Sequence, residues 1–311
     1  MLNIILLALL ISFVFGWNNS SFFKGGLTAS GLLSYRKSVV LTSLGLLSGA
    51  LIEGNKMGKA LIGSVTESTT DTALFATLIT VLLLMAIFTI IHTPVSLSHA
   101  IVGAYLGANF IMGLPLNFIN LEFIILSWIS VPIFSALITI LIYKLVSFIV
   151  QGFSLLTLDT YNRLSVIFVV FYITYALGAN NLGLINGLYM PLIKNPILQR
   201  SMIIFMALSV AFGILAFGKR IAKAVGEDLI ILSPIGFLTS MFSSALIIWI
   251  FTQFSIPISI TQAIVGGIFG AGLVKRYVMF NRIILYEIII GWIAIATIGF
   301  ILSMLVMKVF L

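Results

Sequence analysis

The chain has 311 residues, of which 61% are hydrophobic and only 8% charged, with a formal net charge of +8 and a mean hydropathy of +1.26. About a quarter of the residues of a typical soluble domain are charged, so a soluble fold is excluded and a polytopic membrane protein is implied. The sequence has no cysteine, which removes disulfides, thiolate metal sites and cysteine nucleophiles.

Crossing the hydrocarbon takes about 20 apolar helical residues. The first such run, 2–17, lacks a basic flank and leads directly into Gly16-Trp17-Asn18-Asn19. It therefore reads as a retained span rather than a cleaved leader. A weaker run covers 38–52 and a strong one 72–91. The next segment, 94–116, is of another kind. It opens on Thr93-Pro94-Val95-Ser96-Leu97-Ser98-His99 and continues through Gly103, Gly107 and Gly113. A span at 121–143 follows. The apolar stretch 145–158 is interrupted by Gln151 and Gly152 and stays open between a short span and an interfacial helix.

Another span, 164–177, then runs into Gly178-Ala179-Asn180-Asn181. Spans at 201–217 and 229–251 precede a second segment of the unusual type, 257–274. It opens on Pro257-Ile258-Ser259-Ile260-Thr261-Gln262 and carries Gly266, Gly267, Gly270 and Gly272. A last span covers 283–309. Asn18 to Pro94 is 76 positions and Asn180 to Pro257 is 77. Beyond the prolines the copies hold an offset of 163, through Gly107-Ala108 and Gly270-Ala271. A duplicated pattern of breakers and amides inside apolar sequence is a mark of secondary transporters. The expected fold is all-α, with two inverted-topology repeats, 1–158 and 159–311, each carrying a re-entrant helical hairpin, at 94–116 and 257–274. The site is expected where the halves meet.

The basic residues fall in short groups between apolar runs: Arg36 and Lys37, Lys56 and Lys59, Lys219 with Arg220 and Lys223, Lys275 with Arg276. They read as anchors to lipid headgroups. No soluble domain carries a basic surface for nucleic acid. The groups at 219–223 and 275–282 flank one span plus one hairpin and so fall on opposite faces, which leaves orientation undecided.

Adjacent amides in an apolar span need partners, because an unpaired amide in hydrocarbon costs several kcal/mol. Asn18, Asn19, Asn180 and Asn181 could glue helices together, but their duplication at matched spacing favours function. Ser96 with Ser98, and Ser259 with Thr261, place hydroxyls two apart at each hairpin start. Such hydroxyls often bond back to their own backbone. Their position next to proline, repeated, and followed by His99 or Gln262, favours a site. A half-helix N-terminus there favours an anion. His99 and Gln262 are equivalent, so a donor role for His99 is preferred over an obligatory proton relay. His92 corresponds to Ser255 in the other copy and reads as a helix-end residue. The eight acidic residues, Glu53, Glu67, Asp71, Glu122, Asp159, Glu227, Asp228 and Glu287, lie at or near the ends of apolar runs. Most read as solvated loop charge.

These motifs resemble the inorganic phosphate transporter (PiT) family. Its signature is a duplicated Gly-x-Asn-Asp and a duplicated Pro-x-Ser-x-x-His/Gln. Phe217-Gly218-Lys219-Arg220 with Val225-Gly226, leading to Pro234-Ile235-Gly236-Phe237, is a further match, and the resemblance runs from Phe15 to Leu273. It implies a multi-pass cell-membrane carrier of inorganic phosphate working by alternating access, with sodium or protons as coupling ions and no other cofactor or metal. Carried onto matching positions, the substrate residues are Asn18, Ser96, Ser98, His99, Asn180, Ser259, Thr261 and Gln262, with ion coupling at Asn19 and Asn181. Membrane lipid is the expected partner, and a homodimer stays open.

The departures bear on substrate and coupling. The family's Asp after each Asn is Asn19 and Asn181 here, and a Glu in the following helix is replaced by Leu46 and Ser240. Sodium is a hard cation held best by carboxylate and carbonyl oxygens, so two amides should hold it more weakly. Sulfate, a pure acceptor, suits a site of neutral donors at least as well. A sulfate or other tetrahedral oxyanion permease with weak or no sodium coupling is therefore the alternative. A non-transporting oxyanion sensor or assembly factor is a second. Ser96 and His99 at i and i+3 could touch, but no carboxylate orients the imidazole. No catalytic residue is assigned and no enzyme is expected.

Overall fold

The computed structural model describes residues 2–29, 35–91, 93, 95–226, 232–275 and 282–310. His92, Pro94, Glu227, Asp228 and Arg276 lie outside the described residues, as do the side chains of Lys59, Lys219, Arg220, Lys223 and Glu287.

Eleven α-helices account for most of the described residues. They are α1 (Leu2–Ala29), α2 (Tyr35–Glu53), α3 (Asp71–Ile90), α4 (Leu97–Ile111), α5 (Phe118–Val150), α6 (Leu155–Leu177), α7 (Gly183–Tyr189), α8 (Pro196–Gly226), α9 (Pro234–Gln253), α10 (Ile260–Lys275) and α11 (Arg282–Phe310). A π-helical turn, Gly178–Leu182, joins α6 to α7, and a 3-10 turn, Gly54–Lys59, follows α2. No strand occurs among the described residues, which carry only isolated bridges at Ile62–Thr66 and Thr66–Leu116. Among the described residues, seven helical stretches are long and apolar enough to cross a membrane. The outer faces are greasy: Phe148 is 77% exposed and Leu141 68%. Hydroxyls and amides turn inward instead, inverting the arrangement of a soluble protein.

The internal repeat is visible in the element boundaries. Shifting α3 by 163 residues gives the bounds of α9, and the same shift carries the first residue of α4 onto that of α10. The start signals are also paired. Thr70 caps α3 through the Ala73 amide at 3.1 Å, and Ser233 caps α9 through Gly236 at 3.2 Å. Caps of this kind satisfy one of the amides that a helix start leaves free.

Each hairpin has one arm before the proline segment and one after it. Thr69, before α3, donates to Asn109 Oδ1 near the end of α4 at 2.7 Å, so the two helices run antiparallel. Ser244 of α9 likewise donates to the Ala263 carbonyl of α10 at 2.9 Å. The segments 94–116 and 257–274 therefore hold only the second arm; the hairpins are α3–α4 and α9–α10, with Thr93, Val95 and Ser96 in the first tip and 254–259 in the second. The stretch 145–158 is neither a span nor a single helix. It holds the end of α5, a break after Val150 and the start of α6, which Ser154 caps through Thr157 at 3.2 Å.

The repeats interleave. α1 packs on α8 and, reciprocally, α6 on α2; α4 packs on α11 and α10 on α5. Two groups result: α1, α3, α4, α8 and α11, and α2, α5, α6, α9 and α10, joined where α2 also packs on α8. Each draws helices from both halves of the chain. Glycine sets the closest approaches. Gly103 and Gly107 lie on the backbone at Ala296 and Phe300 of α11, and Gly266 and Gly270 on that at Pro132 and Ala136 of α5. A Cβ at any of the four would collide with main-chain atoms, so the helices can only meet this closely through glycine.

Candidate functional site

The first residues of α4 and α10 come together deep in the protein. Ser96 accepts from the His99 amide at 3.3 Å, and Ser259 from the Gln262 amide at 3.3 Å. Both hydroxyls are N-caps, the backbone role their residue type favours. Each is also drawn into the site: Ser96 Oγ lies 2.6 Å from His99 Nδ1, and Ser259 Oγ lies 2.8 Å from Thr261 Oγ1. Two links then join the hairpins. Ser98 donates to the Ile258 carbonyl at 2.6 Å, and His99 Nε2 faces Gln262 Nε2 at 3.4 Å. All six side chains are buried.

The paired asparagines tie this centre to the rest of each half. Asn18 Nδ2 donates to Thr89 Oγ1 at 3.0 Å and to the Thr93 carbonyl at 3.1 Å, and its Oδ1 accepts from the Val95 amide at 3.0 Å. Asn180 Nδ2 repeats the pattern, reaching Thr252 Oγ1 at 2.9 Å and the Ile256 carbonyl at 3.4 Å. Each Asn thus holds the unwound hairpin tip, where buried backbone groups have left their helix and need partners. The following asparagines differ. Asn19 donates to the Phe15 carbonyl of its own helix at 3.1 Å, whereas Asn181 lies in the π-helical turn. Such turns are frequent at functional sites.

Three buried amide oxygens have no hydrogen-bond partner: Gln262 Oε1 of this centre, Asn180 Oδ1 of the tip-holding Asn, and Asn181 Oδ1 in the same π-helical turn as Asn180. All belong to the second repeat. The centre thus joins two helix N-termini and holds one unpartnered acceptor of its own, Gln262 Oε1. Among the described residues no group of three or more His, Cys, Asp or Glu could hold a metal ion. Ser240, where the related motif carries Glu, bonds back to the Phe237 carbonyl at 2.9 Å, and Leu46 is fully buried.

Sequence reasoning passed over three features. Thr89 and Thr252 receive the asparagines and are themselves related by the offset of 163, which could have found them. Trp128 stacks on His99 with ring centroids 3.7 Å apart, and Trp292 donates to Thr261 Oγ1 at 3.1 Å. Glu53 departs from the loop-charge reading. It accepts from Tyr175 at 2.9 Å, Trp249 at 3.3 Å and Gln253 at 2.7 Å, and pairs with Lys56 at 3.2 Å. It joins α2, α6 and α9 in one polar knot.

Residues 15–169 and 156–303 each match the model of the Phosphate transporter family. The chain belongs to the phosphate transporter family. One match per half agrees with an internal duplication, and this family member is an integral, multi-pass membrane protein. A candidate phosphate permease of Methanocaldococcus jannaschii is 28% identical over 307 residues, covering 97% of this chain and 95% of that protein. The sulfate permease CysP of Bacillus subtilis is 24% identical over 316 residues, covering 99% and 87%. The solved structure of a sodium-dependent phosphate transporter shares the fold, with a TM-score of 0.84 over 99% of this chain and 98% of that one, at 19% identity.

Proposed function

We propose that this family member is a secondary transporter that carries inorganic phosphate across the cell membrane by alternating access. The observation that carries the reading is the meeting of two capped helix N-termini, α4 and α10, inside a buried polar centre contributed by both repeats. Amides at a helix start point outward with the positive end of the helix dipole, the arrangement that binds phosphate elsewhere. Ser96, Ser98, His99, Ser259, Thr261 and Gln262 line that centre, and Asn18 and Asn180 fix the tips that present it. α4 has 15 residues and α10 has 16, so at 1.5 Å per residue neither alone crosses a hydrocarbon core of about 30 Å. The short second arms support tips that lie within the membrane, at the level of Asn18 near the middle of α1, while the first arms, α3 and α9, have 20 residues each and by length alone could cross it. The rocking bodies are the two interleaved helix groups rather than repeats 1–158 and 159–311, because each group packs within itself across the repeat boundary.

Coupling runs through Asn181 and, more weakly, Asn19. The unpartnered oxygens of Asn180 and Asn181 offer carbonyl-type ligands to sodium but no charge, which supports weak sodium binding. The sulfate reading is supported by the same lack of carboxylates and by the relation to the B. subtilis protein. Against it stands the set of orphaned acceptors, which suit a protonated phosphate better than a pure acceptor. Uptake of labelled phosphate and sulfate into proteoliposomes, in competition and with sodium or pH gradients imposed separately, tests the reading. Preference for phosphate is expected, and no uptake of either anion under any gradient would refute it.

A further inference from the structure

Trp128 and Trp292 occupy matching positions in the two repeats. The close contacts of α5 and α11 are related by 164 residues: Pro132 and Ala136 correspond to Ala296 and Phe300, and by the same shift Trp128 corresponds to Trp292. The chain has four tryptophans in all, and two of them form this pair.

Each indole crosses between the hairpins. α5 packs on α10, yet the Trp128 ring stacks on His99 of α4, inclined 25° to it. Its Nε1 donates to the Pro257 carbonyl at 3.0 Å, in the tip that leads into α10. α11 packs on α4, yet Trp292 Nε1 reaches Thr261 of α10. Thr261 in turn bonds the α10 cap, Ser259. Stacking fixes the plane of the imidazole, so that Nδ1 faces Ser96 and Nε2 faces Gln262. The Pro257 bond fixes the second tip relative to that plane. Trp128 also walls an apolar crevice of about 330 Å³ between α4, α5 and α11, lined by Val102, Leu106, Ala296 and Phe300. On its other side lies the polar centre. A flat, stiff ring with one donor suits both tasks, since indole offers a large apolar face and a single N–H.

We propose that Trp128 and Trp292 are positioning residues of the anion site: they set the distance and angle between the two helix N-termini and thereby the affinity for the tetrahedral anion. The inference rests on the transport reading above and extends it to residues outside the polar motifs. Misplacing preorganised groups weakens the fit of the ligand without removing a contact to it.

The test is the concentration dependence of phosphate uptake by Trp128→Phe, Trp128→Leu and Trp292→Phe in proteoliposomes, with phosphate binding to the purified proteins measured in parallel. Trp128→Phe keeps a stacking ring and loses the N–H, whereas Trp128→Leu loses both. The expected order is a KM raised about threefold in each Phe variant and about tenfold or more in Trp128→Leu, with maximal rates within about twofold of the parent. The binding constants should move in the same order. Should Trp128→Leu fail to fold, the two Phe variants decide. Unchanged KM and binding in both Phe variants, or a loss of maximal rate alone, would overturn the proposal. Failure of the parent itself to transport, with binding retained, would refute the transport reading while the binding order still decides the role of the tryptophans.

Discussion

His99 and Gln262, 163 residues apart, face each other at 3.4 Å between their side-chain nitrogens. They hold equivalent places in the two repeats, so the contact lies where the mirrored halves meet. For the pair to be bonded, the imidazole must be neutral, with Nδ1–H directed at Ser96 Oγ and Nε2 accepting from the Gln262 amide. In that state His99 bridges Ser96 and Gln262.

His99→Gln therefore gives two facing carboxamides and should keep uptake within about threefold of the parent, whereas His99→Ala should raise KM about tenfold by leaving Gln262 and Ser96 without their partner. Comparing the two under an imposed pH gradient separates a spacer from a proton carrier. Abolition of proton-driven uptake in His99→Gln would make His99 a carrier instead.

The two tip-holding asparagines are not equal. Asn18 bonds Thr89, Thr93 and Val95 through both ends of its amide, while the Oδ1 of Asn180 is unpartnered. At roughly 0.6–1.7 kcal/mol for each hydrogen bond between membrane helices, Asn18→Ala should cost about 2–3 kcal/mol and Asn180→Ala about two-thirds of that. Thermal unfolding in detergent measures the difference. Both variants should lose uptake, Asn180→Ala while still well folded.

Asn181→Asp adds the charge that the amide lacks, in the π-helical turn that also carries Asn180. It should increase the dependence of uptake on sodium, measured as the sodium concentration at half-maximal rate, because carboxylate is the stronger ligand for a hard cation. Asn19→Asp should do less, since Asn19 is engaged with its own helix at Phe15. Equal insensitivity in both variants would remove these residues from coupling.

Glu53 and Lys56 should separate sharply. Lys56 is 42% exposed along its side chain against 14% for Glu53, and half-exposed ion pairs contribute about 1 kcal/mol or less. Lys56→Ala is expected to be mild. Glu53→Ala strips the acceptor from the part-buried donors of Tyr175, Trp249 and Gln253 together and should cost about 1–3 kcal/mol. Matched losses in the two variants would contradict the network.

Much of this architecture was readable before any coordinates. The hydropathy demanded a membrane fold, and the spacing of Asn18, Asn180 and the proline-led motifs disclosed the duplication. Gly103 and Gly266 sat at register positions where only close helix packing needs glycine. Those features are local or periodic, and local chemistry dictates them. Composition said nothing of which arm pairs with which. The hairpins turned out to be α3–α4 and α9–α10 because Thr69 meets Asn109 and Ser244 meets Ala263, contacts that no single segment encodes. Nor could spacing show that the repeats exchange helices, that Glu53 gathers three donors from two other helices, or that Trp128 lies flat on His99. Such relationships depend on how the chain closes on itself, where side chains far apart in order must satisfy one another in a medium without water to do it for them.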